Sequence, residues 1–305
     1  MPNRRGTPTP PLDLAELLES WRTHLEAERK APGTVRLYTT GVRLYLEWCE
    51  SKSLASHLDR ATVAAFIAHL LEAGAEAATA RTRHLALRRF AAWLVDEGEL
   101  AADPLAGLKP PKLDDKVIPS LSAAQLRALI AACQGPGMRD RRDEALVRLL
   151  AETGLRAGEA VALTVDDVNV CGGVVVVRRG KGGKGRVVPF GPQTARALDR
   201  YLRARRSHRL AATPALWLGD RGRAFAYDAL HATLGYRAGL AGLKGFHPHV
   251  LRHTAASRWL AAGGSEGGLM AVAGWQRRDM LDRYVAATRA ELAADEARGL
   301  GLGDL

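Results

Sequence analysis

The chain has little of what would place it in several large protein classes. Three cysteines in 305 residues, Cys49, Cys133 and Cys171, are odd in number, far apart and in no metal-ligand spacing. They exclude a disulfide framework and read as reduced thiols of a reducing compartment. No uninterrupted apolar run approaches the roughly 20 residues needed to span a bilayer. The opening stretch, MPNRRGTPTPP, lacks the apolar core of a secretory signal. A cytoplasmic protein with no membrane partner is the expectation. No internal repeat is detectable, and acidic residues are the scarcer charge, 33 Asp and Glu against 44 Lys and Arg.

That imbalance, a formal +11, points to a polyanionic partner. Nucleic acid is favoured over a membrane surface, because no basic amphipathic helix with a lipid-facing aromatic side is evident. An arginine-rich proteome would also make a chain basic, so the distribution of charge matters more than its sum. With 47% apolar and 25% charged residues, a chain of this length can bury a substantial core and divide into two domains.

After a Pro-rich stretch over 1–11, helical periodicity recurs at 12–29, 33–51, 60–73 and 76–97, broken at Pro32-Gly33, Ser53–Asp59 and Gly74. This predicts a small all-α domain over 12–106. In its fourth helix Leu87, Phe90 and Leu94 share one face, and Arg81, His84 and Arg88 lie roughly opposite. The basic stripe either meets phosphate or is a solvated surface. Residues 107–118 carry Pro110-Pro111 and three lysines, Lys109, Lys112 and Lys116, and read as a semi-rigid linker to a second domain over 119–305.

Ser122 and Gln125 form a capping-box pattern, and a helix over 140–152 stops at Thr153-Gly154. Arg156 opens the next turn with Glu159 one turn on, a carboxylate that can fix its guanidinium or merely make a weak surface pair. Two β-branched runs, Val174–Val177 and Arg186–Phe190, flank RRGKGGKG and read as a hairpin. The loop matches G-x-G-x-x-G at Gly180, Gly182 and Gly185. A strand rather than a helix follows it, which excludes a dinucleotide fold, and no D-F-G or H-R-D segment supports a kinase. What survives is a loop whose Lys181 and Lys184 can reach a phosphodiester. A helix over 192–209 carries Arg196, Arg200, Arg203, Arg205, Arg206 and Arg209 against Asp199 alone, again for phosphate or for solvent. Another helix is expected over 226–239.

Two further stretches concentrate the chemistry, HPHVLRH at 247–253 and GWQRRDMLDRYV at 274–285. Pro248 suits a first helical turn, so His249, Arg252 and His253 share one face. A zinc pair lacks support there, since no Glu completes H-E-x-x-H and an arginine on the same face opposes a cation. Trp275 is followed nine residues on by Tyr284, which taken alone is more often a packing residue than a nucleophile. A phenol near imidazoles and arginines suggests phosphoryl chemistry.

TGLRAGE around Arg156 and Glu159, GKGGKGRVVP around Lys181, HVLRH around His249, Arg252 and His253, then Gly274-Trp275 and Tyr284, follow the order and approximate spacing of the tyrosine recombinases, or phage integrases. The resemblance covers nearly the whole chain, which has the size of the Xer-like members. It implies a mainly α protein with a small β-sheet (α+β): a helical, SAM-like core-DNA-binding domain followed by a mixed α/β catalytic domain. It makes Tyr284 the nucleophile, Arg156 and Arg252 the phosphate clamps and Lys181 the hairpin acid. His249 and Trp275 complete the set, Trp275 standing where many relatives have histidine, and Glu159 and His253 support it. Arg81, Arg88, Lys184, Arg200 and Arg203 are the candidate DNA contacts.

The resemblance also implies a site-specific recombinase that works through a 3′-phosphotyrosine without metal, ATP or other cofactor. Its partner would be double-stranded DNA carrying specific sites, held by a homo-tetramer. The segment from Arg289 to Leu302 would dock on a neighbouring protomer or fold back on its own domain. A type IB topoisomerase would use similar residues to relax DNA, and a non-catalytic DNA-binding protein would use only the basic surface.

Overall fold

In the computed structural model, the structure describes residues 12–113, 120–178, 185–222, 224–278 and 280–282. The chain divides into two compact units, Met1–Lys116 and Val117–Leu305.

The first unit holds four helices among the described residues: α1 (Leu14–Ala27), α2 (Pro32–Ser51), α3 (Arg60–Glu72) and α4 (Ala77–Asp96). Their starts follow local chemistry. The Asp13 carboxylate accepts from the Ala15 and Glu16 amides, Pro32 occupies the first position of α2, and Asp59 accepts from Thr62 N. Trp21, Tyr45, Phe66, Phe90 and Leu94 fill the core. At Gly41, α2 lies so close to α4 that a β-carbon would stand 2.5 Å from Ala86 Cβ.

The basic stripe on α4 is partly covered: His84 is buried and Arg88 half-buried, while Arg81 stays exposed. Residues after α4 fold back on it: Leu105 is fully buried, His84 Nε2 lies 3.2 Å from Leu108 O, and Arg88 pairs with Asp103 at 3.5 Å. Arg81 reaches Pro111 O at 3.3 Å. The described part of the expected linker is therefore docked on its own helix. Burial of His84 lowers its pKa, so it is a packing residue.

The second unit is built around α6 (Met138–Thr153), against which α5 (Ala123–Ala131), α8 (Pro192–Arg205), α9 (Tyr227–Leu240) and α10 (His249–Ala261) pack. The capping box at Ser122 is present, with the Ser122 amide donating to Gln125 Oε1 at 2.9 Å. Short α7 (Ala157–Val161) follows α6, and α11 (Glu266–Ala273) follows α10. An antiparallel sheet, β1 (Val168–Asn169), β2 (Val174–Val177) and β3 (Arg186–Pro189), runs in that order, with Val175 opposite Val188. The hairpin tip at 179–184, with Lys181 and Lys184, lies outside the described residues, as do Tyr284 and the segment from Arg289 to Leu302.

The arginine-rich helix is shorter than the sequence predicts and does not turn all its cations outward. α8 ends at Arg205, whose buried guanidinium donates to the carbonyls of Ala211, Thr213, Ala215 and Leu216 at 2.6–3.2 Å. It binds the following turn, a structural task that satisfies otherwise orphaned carbonyls. Arg203 is exposed beside Asp199 at 3.0 Å, and Arg200 lies 3.5 Å from Glu144. Among the described residues, no helix is long and apolar enough to cross a membrane.

Candidate active site

The site is assembled at three chain turns. α6 is closed by Gly154, whose φ of 62° is left-handed and cheap only for glycine. Leu155 then enters the core and Arg156 caps the start of α7. Glu159, in the first turn of α7, accepts the Arg156 backbone N–H at 2.9 Å and the Arg156 guanidinium at 2.9 Å. The same carboxylate takes a second guanidinium through both oxygens, from Arg186 at the start of β3, at 3.0 and 2.7 Å. Burial alone would raise the Glu159 pKa. The Arg186 hydrogen bond and the Arg156 amide outweigh it and hold the carboxyl at about 2.

On α10, Arg252 is buried and donates to Gly154 O at 2.5 Å and to Ala273 O at 2.8 Å. One turn earlier stands His249, whose ring meets that of His253 edge-on, centroids 4.5 Å apart. Partial burial, then the positive charge of Arg252 and the ring of His247, lower the pKa of His249. Burial, then His249, push His253 down to about 4. Both imidazoles are neutral at physiological pH.

The third turn ends α11, where Gly274 has a φ of 65°. Three successive carbonyls there each receive a guanidinium: Val272 O from Arg186 at 2.8 Å, Ala273 O from Arg252 at 2.8 Å and Gly274 O from Arg156 at 3.4 Å. The negative end of the helix dipole favours this cluster of cations. A β-carbon at Gly274 would lie 3.0 Å from the Arg186 guanidinium, so the close approach depends on glycine. Trp275 follows directly, buried against Ala256, Leu260, Leu269 and Leu281, with the Arg252 guanidinium carbon 5.2 Å from its ring centre.

A cleft of about 540 Å³ opens beside these groups, lined by Arg156, Tyr227, His231, His247 and His249. Arg156 gives it a cationic wall that suits an oxyanion, and a guanidinium held from behind, as this one is by Glu159, can stabilise a five-coordinate phosphorus. Of the residues singled out in the sequence, Arg156, Glu159, His249, Arg252, His253 and Trp275 come together here. Arg81 and Arg88 belong to the other unit, and Arg200 and Arg203 lie on α8. Arg186 was missed, since its partner Glu159 is 27 residues away and only the position of an arginine just after the lysine loop could have pointed to it.

Fastened guanidiniums with neutral imidazoles beside an open cleft suit phosphoryl transfer. Residues 119–291 match the phage integrase family, and residues 18–98 match the phage integrase N-terminal SAM-like domain. The chain belongs to this family and is a site-specific tyrosine recombinase, a DNA strand-exchange enzyme. It is 35% identical over 260 residues to tyrosine recombinase XerD of Corynebacterium glutamicum, covering 81% of this chain and 85% of that one. Tyrosine recombinase XerC of Mycobacterium sp. (strain KMS) is 35% identical over 265 residues, covering 82% and 87%. The fold matches that of the XerH site-specific recombinase bound to a palindromic difH substrate, with a TM-score of 0.74 at 18% identity over 92% of this chain and 83% of that one. It also matches a lambda integrase tetramer bound to a Holliday junction, with a TM-score of 0.69 at 16% identity over 90% and 78%.

Proposed function

We propose that the chain cuts and rejoins double-stranded DNA at specific paired sites through a covalent 3′-phosphotyrosine at Tyr284, acting as a homo-tetramer on cytoplasmic DNA at the nucleoid. The Tyr284 oxygen attacks the scissile phosphorus and the bond to the 5′ oxygen breaks. The phenol, with a free pKa of roughly 10, gives its proton to neutral His249, and the departing oxygen takes one from Lys181. Arg156 and Arg252 balance the charge that builds on the non-bridging oxygens. Trp275 backs Arg252, and Glu159 and His253 hold the arginine and the base in place. The phosphotyrosine retains the bond energy, so a second 5′ hydroxyl can reverse the step and join a new strand. Arg81, Arg88, Lys184, Arg200 and Arg203 contact the DNA backbone.

The observation that carries this reading is the fastening of Arg156 and Arg252, from separate helix starts, to the consecutive carbonyls of Gly274 and Ala273. A non-catalytic binding protein has no use for guanidiniums held in that way. The test is a nicked suicide substrate that traps the covalent step. The wild-type chain should form an adduct at the 3′ phosphate, and Tyr284→Phe should bind DNA equally without forming one. An adduct from the Phe variant would remove Tyr284 as nucleophile. Relaxation of any supercoiled plasmid, without paired sites, would favour a topoisomerase.

A further inference from the structure

We propose that Arg186 is a positioning residue for strand cleavage: by sharing Glu159 with Arg156, it lets the carboxylate orient Arg156 without cancelling its charge. This rests on the reading of Arg156 as a clamp for the scissile phosphate.

The Arg186 side chain is 11% exposed and that of Glu159 7%, against 28% for Arg156. Glu159 Oε1 accepts from Arg156 at 2.9 Å and from Arg186 at 3.0 Å, while Oε2 accepts from the Arg156 amide at 2.9 Å and from Arg186 at 2.7 Å. Those four bonds use the acceptor capacity of the carboxylate. Nε of Arg186 is fixed in turn on Val272 O at 2.8 Å. Arg156 is the more open member and lines the cleft.

Charge counting gives the consequence. Arg156 with Glu159 alone is a neutral pair. With Arg186 the cluster carries a net positive charge, and its open end is Arg156. Arg186 touches Glu159 and a carbonyl and does not line the cleft, so its effect on the phosphate runs through Arg156. An electrostatic role of this kind matters most when both non-bridging oxygens of the scissile phosphate carry charge, and weakens when one is replaced by a neutral group.

The test measures cleavage rates of the full-length wild-type, Arg186→Met and Arg186→Lys proteins on two suicide substrates. One has an ordinary scissile phosphodiester, the other a methylphosphonate, in which a methyl group replaces a charged non-bridging oxygen. Arg186→Met should slow phosphodiester cleavage on the order of a hundredfold at unchanged DNA affinity, with Arg186→Lys falling between it and wild type. On the methylphosphonate the three proteins should agree within about threefold. Should Arg186→Met fail to fold, Arg186→Lys, which keeps the charge but cannot span both oxygens, decides by the same comparison. Equal slowing on both substrates would make Arg186 merely structural, and no slowing on either would leave it idle; each overturns the proposal. Absence of any wild-type adduct would instead overturn the roles of Tyr284 and Arg156, and this inference with them.

Discussion

The guanidinium of Arg252 lies over the ring of Trp275, 5.2 Å from its centre, while its nitrogens hold Gly154 O and Ala273 O. The indole thus serves as a wall for the arginine as well as a core residue. Trp275→Ala should cost about 3–5 kcal/mol in urea unfolding, from the cavity and the lost ring face. Trp275→Phe keeps an aromatic face and should cost only about 1 kcal/mol. Equal losses would show that the indole N–H, and not the ring, anchors this corner.

Arg252→Ala removes a charge that the buried turn is built around. DNA binding should persist while adduct formation slows by roughly a hundredfold or more, as for Arg156→Ala. Arg252→Lys should restore little, because a compact ammonium lacks the planar fork whose separate nitrogens reach Gly154 O and Ala273 O while the group faces a phosphate. Suicide-substrate cleavage beside gel-shift titration checks both, and mild effects at Arg156 and Arg252 alike would remove the clamp.

Glu159 gives an acid dependence of stability. Its carboxyl is depressed to about 2, so its contribution is complete above the unfolded value near 4.5 and is lost as pH falls through about 2. The stability gap between wild type and Glu159→Gln should be about 3 kcal/mol near neutral pH, constant above about pH 5 and closing below that. A gap that does not change with pH would mean the carboxylate is not held by its two arginines.

The histidines act in a different window. Both are depressed, His253 to about 4, so the neutral rings stabilise the fold above about 6.5 and that contribution is lost as pH falls toward about 4. If His249 accepts the Tyr284 proton, the acid limb of the cleavage rate should lie below about pH 6.5. His249→Gln should cleave more slowly and lose that limb, and an unchanged limb would assign the proton elsewhere.

The arginines of α8 should separate cleanly. Arg205→Ala strips four carbonyls of their donor and should destabilise the unit by about 3 kcal/mol or more. Arg203→Ala should leave the unfolding midpoint unchanged, weaken DNA binding and lower the salt slope by about one counterion. A salt slope unaltered by Arg203→Ala would return that residue to the solvated surface.

What was legible in the sequence was local. The capping box at Ser122, the left-handed stop at Gly154, the hairpin around the lysine loop and the shared face of His249, Arg252 and His253 all follow from spacing within a turn or two. Periodicity located the helices for the same reason, since backbone geometry sets a repeat that the apolar residues must follow. The ordered motifs were enough to assign the recombinase family, because their order and spacing are those of the family the chain matches.

Tertiary structure alone decided what each face meets. A helical wheel groups His84 with Arg81 and Arg88, and Arg205 with other arginines, but it does not show that residues 105–111 cover the first or that four carbonyls capture the second. Nor does any spacing pair Glu159 with Arg186, or bring three arginines to Val272, Ala273 and Gly274. Hydrogen bonds between distant segments leave no periodic trace, because their partners are selected by chain packing rather than by backbone repeat. The sequence by itself therefore determined which side chains this protein has for the reaction, and only the fold decided which of them hold the others in place.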